Sequence, residues 1–188
     1  GVVAPSLARF WFTGVPSPHS EANTFCHRST LPVTFSTVEL TVYMTRTDDP
    51  HNLQRFVEAQ DPVIDEVKQE LRSGRKRSHW MWYVFPQMKG LGSSQTAQYY
   101  AIDSREEAEA YLEHPTLNPR LRDCTEIVNA AEGRSANEIF GSPDDLKFRS
   151  SMTLFDTVAD DPTPFRTALE RYYDGEPDRK TLELLEDV

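Results

Sequence analysis

From about residue 48 onward, apolar side chains recur every three or four positions along the chain. This spacing places them on one face of an α-helix, so the pattern predicts a series of amphipathic helices packed around a shared core. The predicted buried stripes, in chain order, are Leu53/Phe56/Val57/Gln60, Val63/Ile64/Val67/Leu71, Ala108/Tyr111/Leu112, Leu117/Leu121/Cys124/Val128, Phe148/Met152/Phe155/Val158, Phe165/Ala168/Leu169/Tyr172 and Leu182/Leu185.

Residues that start and stop helices lie between these stripes. An aspartate just before Pro50 predicts one helix start, and Ser104-Arg-Glu-Glu107 is a capping box that predicts another. Glycines such as Gly74 and Gly175 follow the ends of stripes, where helices commonly stop. The connections hold only a few residues and show no sustained strand alternation. We therefore predict an all-α fold, a compact multi-helical domain of short helices around a buried aromatic segment.

Residues 1–43 do not share this pattern. Prolines, aromatics, serines and threonines are scattered through them, and no helical or strand period persists beyond a few residues. We predict that residues 1–43 are an N-terminal extension, disordered or not native to the fold. The helical domain is then expected to cover residues 44–188 and to open at Met44. The alternative is a real arm that packs on the surface of the domain.

The acidic balance of the chain bears on its partners. It holds 20 Lys and Arg against 30 Asp and Glu, a formal net charge of −10, and residues 1–43 contribute only two of each sign. Such a surface repels a phosphate backbone, so nucleic acid is not an expected partner. No apolar run approaches the roughly 18 residues of a membrane span, so no membrane association is expected. The sequence does not identify a protein partner.

Candidate metal and redox chemistry is sparse. Cys26 and Cys124 are far apart, and neither their spacing nor that of the histidines fits a metal site or a disulfide framework. We expect reduced thiols, a cytoplasmic protein, and neither a metal nor a cofactor.

One stretch, from Gly74 to Ser94, departs from the amphipathic pattern, and it begins with three cations, Arg75, Lys76 and Arg77. Arginine can bind a phosphate with two hydrogen bonds and lysine can bind it as a point charge. The structural alternative is a solvated helix end, where cations interact favourably with the C-terminal dipole of the preceding helix.

The uncharged run from Trp80 to Phe85 follows the cations. It is too short for a membrane and too continuous for a surface helix, so it predicts a central buried segment, helix or strand, that ends before Pro86. Trp80 and Trp82 can stack on a ligand ring, whereas core packing alone also explains such a run.

A turn of sequence KGLGSS closes the stretch. Gly90 and Gly92 allow backbone amides to face an anion, and Ser93 or Ser94 is a natural N-cap for a helix through Gln95–Ala101. The spacing fits neither a P-loop nor a dinucleotide fingerprint. The alternative is a tight turn that leads into a capped helix.

A second polar patch lies further along the chain. Lys147 shares a helix face with Ser150 or Ser151, and this face can contribute to a ligand site. The structural alternative ties Lys147 to a carboxylate such as Asp144 or Asp145, because buried polar groups need partners.

Two side chains are candidates for proton transfer. His79 lies beside the aromatic run and next to cations, so it is a candidate general acid or base. Asp145 is the second candidate catalytic residue. The sequence does not establish whether the protein is an enzyme.

The same segments carry a family resemblance. Residues 49–60 (DPHNLQRFVEAQ), 75–87 (RKRSHWMWYVFPQ), 90–94 (GLGSS), 110–115 (AYLEHP), 145–155 (DLKFRSSMTLF) and 181–185 (TLELL) resemble the uncharacterised bacterial and fungal family called domain of unknown function 1810. The resemblance implies a multi-helical fold that begins near Met44, and it implies no established activity. In helical architecture the family is reminiscent of YbiA-type proteins associated with NAD and ADP-ribose metabolism, from which no catalytic residue is carried across.

Two functions compete on these observations. The first is binding or processing of a small phosphorylated ligand, a nucleotide or an ADP-ribose-like molecule, by the cations, glycines and aromatics of the Gly74–Ser94 stretch. The second is a non-catalytic protein-interaction module, in which that stretch is only the hydrophobic centre. The first requires the cationic turn and the aromatic run to open onto one shared cleft.

Overall fold

The structure is a computed structural model that describes residues 49–187. These residues form ten α-helices and no β-strand, which confirms the all-α prediction. The helices are α1 (Gln54–Gln60), α2 (Ile64–Arg72), α3 (Met81–Val84), α4 (Gln95–Tyr99), α5 (Arg105–Glu113), α6 (Leu117–Asn129), α7 (Ala136–Phe140), α8 (Asp144–Val158), α9 (Thr163–Tyr173) and α10 (Arg179–Glu186). The predicted extension over residues 1–43 and its boundary at Met44 lie outside the described residues.

Helix α8 lies at the centre of the fold. It is 15 residues long and packs against α3, α5, α7, α9 and α10. Three residues of its predicted stripe, Phe148, Met152 and Phe155, have no exposed surface. Burial of side chains of this size is the main favourable contribution to folding, so α8 organises most of the apolar core.

Helix α6 carries the second continuous stripe and packs against α2, α5 and α9. All four predicted residues of this stripe are buried, including Cys124. Burial raises the pKa of the Cys124 thiol to about 12, which keeps it protonated at neutral pH. Because the thiolate is the reactive form, Cys124 is an inert core residue.

Two of the predicted serine caps form, and two helix starts differ from the prediction. Ser94 and Ser104 accept hydrogen bonds from the amides of residues three positions later, as predicted. Helix α1 begins at Gln54 rather than at Pro50, because the Asp49 carboxylate accepts the amides of Leu53 and Gln54 after an intervening turn. Helix α7 was not predicted from the apolar stripes.

The sequence does contain the signal for α7. Ser135 and Glu138 form a capping box, in which each side chain accepts the other residue's backbone amide. The spacing Ser-x-x-Glu is the signature of this motif. The helix is short and buries Ala136, Ile139 and Phe140, which are too few for a periodic stripe to be recognised.

The aromatic run forms the single helical turn α3, and its residues are buried as predicted except for Trp82 and Tyr83, which are half-buried. Trp80 and Phe85 flank this turn and are buried. Phe85 packs edge-on against Phe148 of α8, with ring centroids 4.9 Å apart, and Phe148 stacks on Phe140 at 4.6 Å. The turn is thereby fixed on α8.

Candidate functional site

A buried carboxylate, that of Glu70 at the end of α2, holds the first part of the Gly74–Ser94 stretch. It accepts the backbone amide of Arg77 at 2.8 Å, the amide and hydroxyl of Ser78, and the indole N–H of Trp80 at 2.8 Å. Burial opposes ionisation of Glu70, but these hydrogen bonds outweigh it and lower its pKa. The loop is therefore wrapped around a charged, fully hydrogen-bonded acceptor.

This arrangement sends the three cations in different directions. Arg75 and Arg77 point into solvent, and His79 is exposed as well. The Lys76 side chain is only 8% exposed, and its ammonium forms a 2.6 Å ion pair with Asp144 at the start of α8. The backbone amide of Lys76 also donates to the carbonyl of Ile139, which fixes the loop against α7.

Asp144 connects the loop to a second lysine. One carboxylate oxygen pairs with Lys76, and the other accepts a 2.7 Å hydrogen bond from Lys147, one turn further along α8. Burial raises the pKa of Asp144, but the hydrogen bonds from the two lysines dominate, so the pKa is lowered. Lys147 Nζ also lies 4.7 Å from the centre of the Trp82 ring, close enough for a cation–π interaction.

Trp82 and Lys147 line a cleft of about 410 Å³ between the chain after α3 and the helices α8 and α10. This volume suits a small organic ligand. The lining comes from three parts of the chain, which contribute Trp82, Gln87, Leu91, Gly92, Ser93, Ser94 and Ala97; Pro143, Leu146, Lys147 and Ser150; and Asp178 and Lys180.

The glycine-containing turn forms one wall of the cleft. A Cβ at Gly92 would lie 2.5 Å from the Cβ of Ala97, so only glycine fits where the turn passes α4. Ser94 caps α4 by accepting the Ala97 amide at 3.1 Å. Gly90 adopts a positive φ of 97° but does not line the cleft.

The opposite wall joins α8 to α10. The Ser150 hydroxyl donates to the Asp178 carboxylate at 2.9 Å, and Asp178 caps α10 by accepting the amide and hydroxyl of Thr181. Lys180 lies at the same edge of the cleft. The cleft lining thus carries two lysines and one carboxylate that is already hydrogen-bonded.

A match to a protein-family model shows to which family the chain belongs. The model described as "Protein of unknown function (DUF1810)" matches residues 50–185. The chain belongs to this family. It is also similar to the crystal structure, at 1.38 Å, of the conserved hypothetical protein Rv1873 from Mycobacterium tuberculosis. The identity is 57%, the TM-score is 0.73, and the match covers 73% of this chain and 99% of that chain. A comparison with curated proteins finds no match.

In this member of the DUF1810 family, the structure brings together only part of the predicted ligand set. Trp82, Gly92, Ser93, Ser94 and Lys147 meet at the cleft. Trp80 is 1% exposed, so neither face of its ring is open to a ligand. Arg75, Lys76, Arg77 and Gly90 do not line the cleft, although Lys76 reaches Asp144 beside it.

The two candidate catalytic residues also lie apart from the cleft lining. His79 is exposed on the loop around Glu70. The Asp145 carboxylate accepts hydrogen bonds from the Asn137 side chain and from the Leu146 amide, both at 2.9 Å. A catalytic role for His79 or Asp145 stays a prediction that this geometry does not favour.

Sequence reasoning missed two charged lining residues, Asp178 and Lys180, and misjudged the register of one serine. Ser150 lines the cleft, whereas its neighbour Ser151 is fully buried, and within residues 49–187 its hydroxyl has no hydrogen-bond partner. Asp178 and Lys180 were not predicted site residues. Their position depends on the packing of α10 against α8, which no local pattern encodes.

Residues 49–187 were also compared with the requirements of a metal site and of a membrane-spanning helix. In that range no cluster of three or more His, Cys, Asp or Glu side chains is arranged to hold a metal ion. No helix in the same range is long and apolar enough to cross a membrane.

Proposed function

We propose that the cleft binds a small phosphorylated ligand, a nucleotide or an ADP-ribose-like molecule. In this proposal, Lys147, Lys180 and the Gly92–Ser94 turn receive the phosphate, and Trp82 contacts the ring or sugar. The observation that carries the proposal is the meeting of an ammonium, an indole and a glycine turn in one open cavity.

The chemistry of these groups supports an anionic ligand with an apolar part. Lys147 and Lys180 supply two ammonium groups against the single carboxylate of Asp178. Backbone amides at a glycine turn can approach an anion closely because no side chain intervenes. Trp82 and the exposed Leu146 offer apolar surface next to these charges.

The proposal concerns binding and assigns no reaction. The Asp178 carboxylate is engaged by Ser150 and Thr181 as a helix cap, and Asp145 and His79 lie outside the lining. A general acid or base must reach the reacting atoms. Of these three groups only Asp178 lines the cleft, and its carboxylate already accepts the hydroxyls of Ser150 and Thr181. The cytoplasm, where phosphorylated metabolites are abundant, is the location that we propose.

A titration of the full chain tests the proposal. Calorimetry and thermal shift with ADP-ribose, ADP and inorganic pyrophosphate should show binding, whereas neutral adenosine should bind at least tenfold more weakly. The variant Lys147→Met should weaken binding of the charged ligands by about tenfold to a hundredfold, because a desolvated ammonium–phosphate contact is worth about 1.5–3 kcal/mol. Lys68→Met is the matched control, since Lys68 pairs with Asp123 outside this cleft. No heat and no thermal shift at millimolar concentrations of these phosphates would refute the proposal.

A protein-interaction module is the second candidate, favoured by one observation. Leu146 and Tyr99 are large apolar side chains that are 58% and 57% exposed, and Leu146 lies at the cleft. Exposed apolar surface of this kind commonly marks a contact site. If Arg75→Ala with Lys147→Ala left every ligand response intact but abolished capture of a defined protein partner, this second function would replace the first.

A further inference from the structure

We infer that Lys76, which does not line the cleft, sets the affinity of the cleft for anions by sharing the Asp144 carboxylate with Lys147. The inference rests on the proposed function and adds a residue that acts through its neighbours. It makes Lys76 a positioning residue for charge rather than a contact residue for the ligand.

The geometry divides one carboxylate between two ammonium groups. Lys76 Nζ lies 2.6 Å from Asp144 Oδ2, and Lys147 Nζ lies 2.7 Å from Asp144 Oδ1. The side chains of Lys76 and Asp144 are 8% and 17% exposed, so water screens this contact weakly. Lys147 is more open, and it alone of the three residues lines the cleft.

The charge balance gives Lys76 its effect. Without it, Asp144 and Lys147 would form a neutral pair, and an anion entering the cleft would compete with Asp144 for Lys147. With Lys76 present, the group of three carries one net positive charge. The other charged lining residues, Lys180 and Asp178, cancel formally. The excess positive charge at the cleft therefore comes from Lys76.

The contact with Trp82 keeps the excess charge at the cavity. The Lys147 ammonium lies over the Trp82 ring at 4.7 Å, and Trp82 itself lines the cleft. Lys76 lies in turn 5.3 Å from the ring centre of buried Trp80. Each lysine is thus held between an indole and the shared carboxylate, which fixes both positions before a ligand arrives.

Four variants of the full chain, titrated with inorganic pyrophosphate by calorimetry, test the inference. Lys76→Met keeps an unbranched side chain, one heavy atom shorter, but removes its charge, and it should weaken binding about tenfold at moderate salt. Lys76→Arg keeps the charge and should bind like the unmodified protein. Lys147→Met removes the contact itself and should lose at least as much affinity as Lys76→Met.

The decisive variant combines Lys76→Met with Asp144→Asn. It leaves Lys147 as the only charge of the three, so the net charge returns to plus one and affinity should return to within about threefold of the unmodified protein. A purely structural role of Lys76 does not predict this rescue. Thermal melts of each variant establish that the protein tested is folded.

Each outcome separates the two claims. If Lys76→Met binds pyrophosphate normally while Lys147→Met does not, the inference is wrong and the proposed function stands. If folded Lys76→Met binds weakly and the double variant is not rescued, Lys76 acts through structure and the inference is also wrong. If the unmodified protein binds neither pyrophosphate nor ADP-ribose, the proposed function fails, and this inference fails with it.

Discussion

Trp80 and Trp82 lie two residues apart but face contrasting surroundings. Trp80 is buried against Phe85 and Phe140, and its indole N–H donates to Glu70. Trp82 is half-buried, lines the cleft and lies beneath the Lys147 ammonium. Trp80 is the residue just before α3, and Trp82 is the second residue of this helix. The start of one helical turn therefore separates a ring in the core from a ring that lines a cavity.

The carboxylates beside the two tryptophans, Glu70 and Asp144, also lie in contrasting surroundings. Glu70 is surrounded by backbone amides, a hydroxyl and an indole, which satisfy its charge without adding any cation. Asp144 is bound by two lysines, so its surroundings keep a net positive charge. The Glu70 side is closed and structural, whereas the Asp144 side is the one at which we propose that an anion binds. The experiments below test this contrast.

The largest expected effect is on the Glu70 side. Glu70→Ala leaves the buried donors of Arg77, Ser78 and Trp80 without their acceptor. We expect a loss of about 3 kcal/mol in the free energy of unfolding, because donors that lose a charged partner bear its desolvation cost. Urea denaturation measures this loss, with exposed Gln69→Ala as the control on the same helix. A loss comparable to that of the control would contradict the structural role.

The stabilisation that Glu70 provides should also depend on pH. Burial raises the pKa of Glu70, but its hydrogen bonds dominate and hold the pKa below the ordinary value of 4.5. A folded pKa below the unfolded one contributes stability that is present above about pH 4.5 and is lost as pH falls through the folded pKa. The stability gap between the unmodified protein and Glu70→Ala should therefore narrow between pH 5 and pH 3. A gap that stayed constant over this range would argue against a charged Glu70.

The helices and several site residues could be predicted because their signals are local. Ser94 and Ser104 cap helices at the expected spacing, and Lys147 pairs with Asp144 one turn away, as the structural alternative required. The aromatic run was correctly expected to be central. Which of Trp80 and Trp82 is closed could not be predicted, because that depends on where Glu70 meets the loop.

The remaining site residues depend on contacts between distant parts of the chain. Ser150 and Asp178 are hydrogen-bonded across 28 positions in sequence, and this contact brings Lys180 to the cleft. Glu70 did carry a signal that was overlooked. It follows Val67 by three positions, so it lies on the buried face of α2, where a carboxylate needs donors.

A pair of matched substitutions compares the tryptophans directly. Trp80→Phe removes the N–H that donates to Glu70 and leaves a smaller ring in the core, so we expect a loss of about 2 kcal/mol. Trp82→Phe keeps a ring under Lys147 at a half-exposed position and should lose less than about 1 kcal/mol. Urea denaturation of both variants under the same conditions gives the comparison. Equal losses in the free energy of unfolding would contradict the distinction between a buried Trp80 and a half-exposed Trp82.

A smaller effect is expected at the wall of the cleft. Gly92→Ala brings two Cβ atoms within 2.5 Å, so the turn or α4 must shift, at a cost of about 1 kcal/mol. Ala97→Gly removes the clashing atom but weakens α4 by a similar amount. In a double-mutant cycle, the combined variant should therefore be more stable than the sum of the single losses predicts. Strict additivity would show that the two side chains do not meet.

The smallest expected effect is that of replacing Arg75 and Arg77, the two exposed cations on either side of Lys76. Arg75 and Arg77 are exposed on the loop around Glu70, where substitutions usually change stability by less than about 0.5 kcal/mol. Salt at 0.15 M screens exposed charges over about 8 Å. The combined variant Arg75→Ser with Arg77→Ser should therefore keep its affinity for pyrophosphate within about twofold, whereas Lys76→Met loses about tenfold. An equal loss in both would mean that the exposed arginines contribute as much to anion binding as Lys76 does, so the shared carboxylate would give Lys76 no special role.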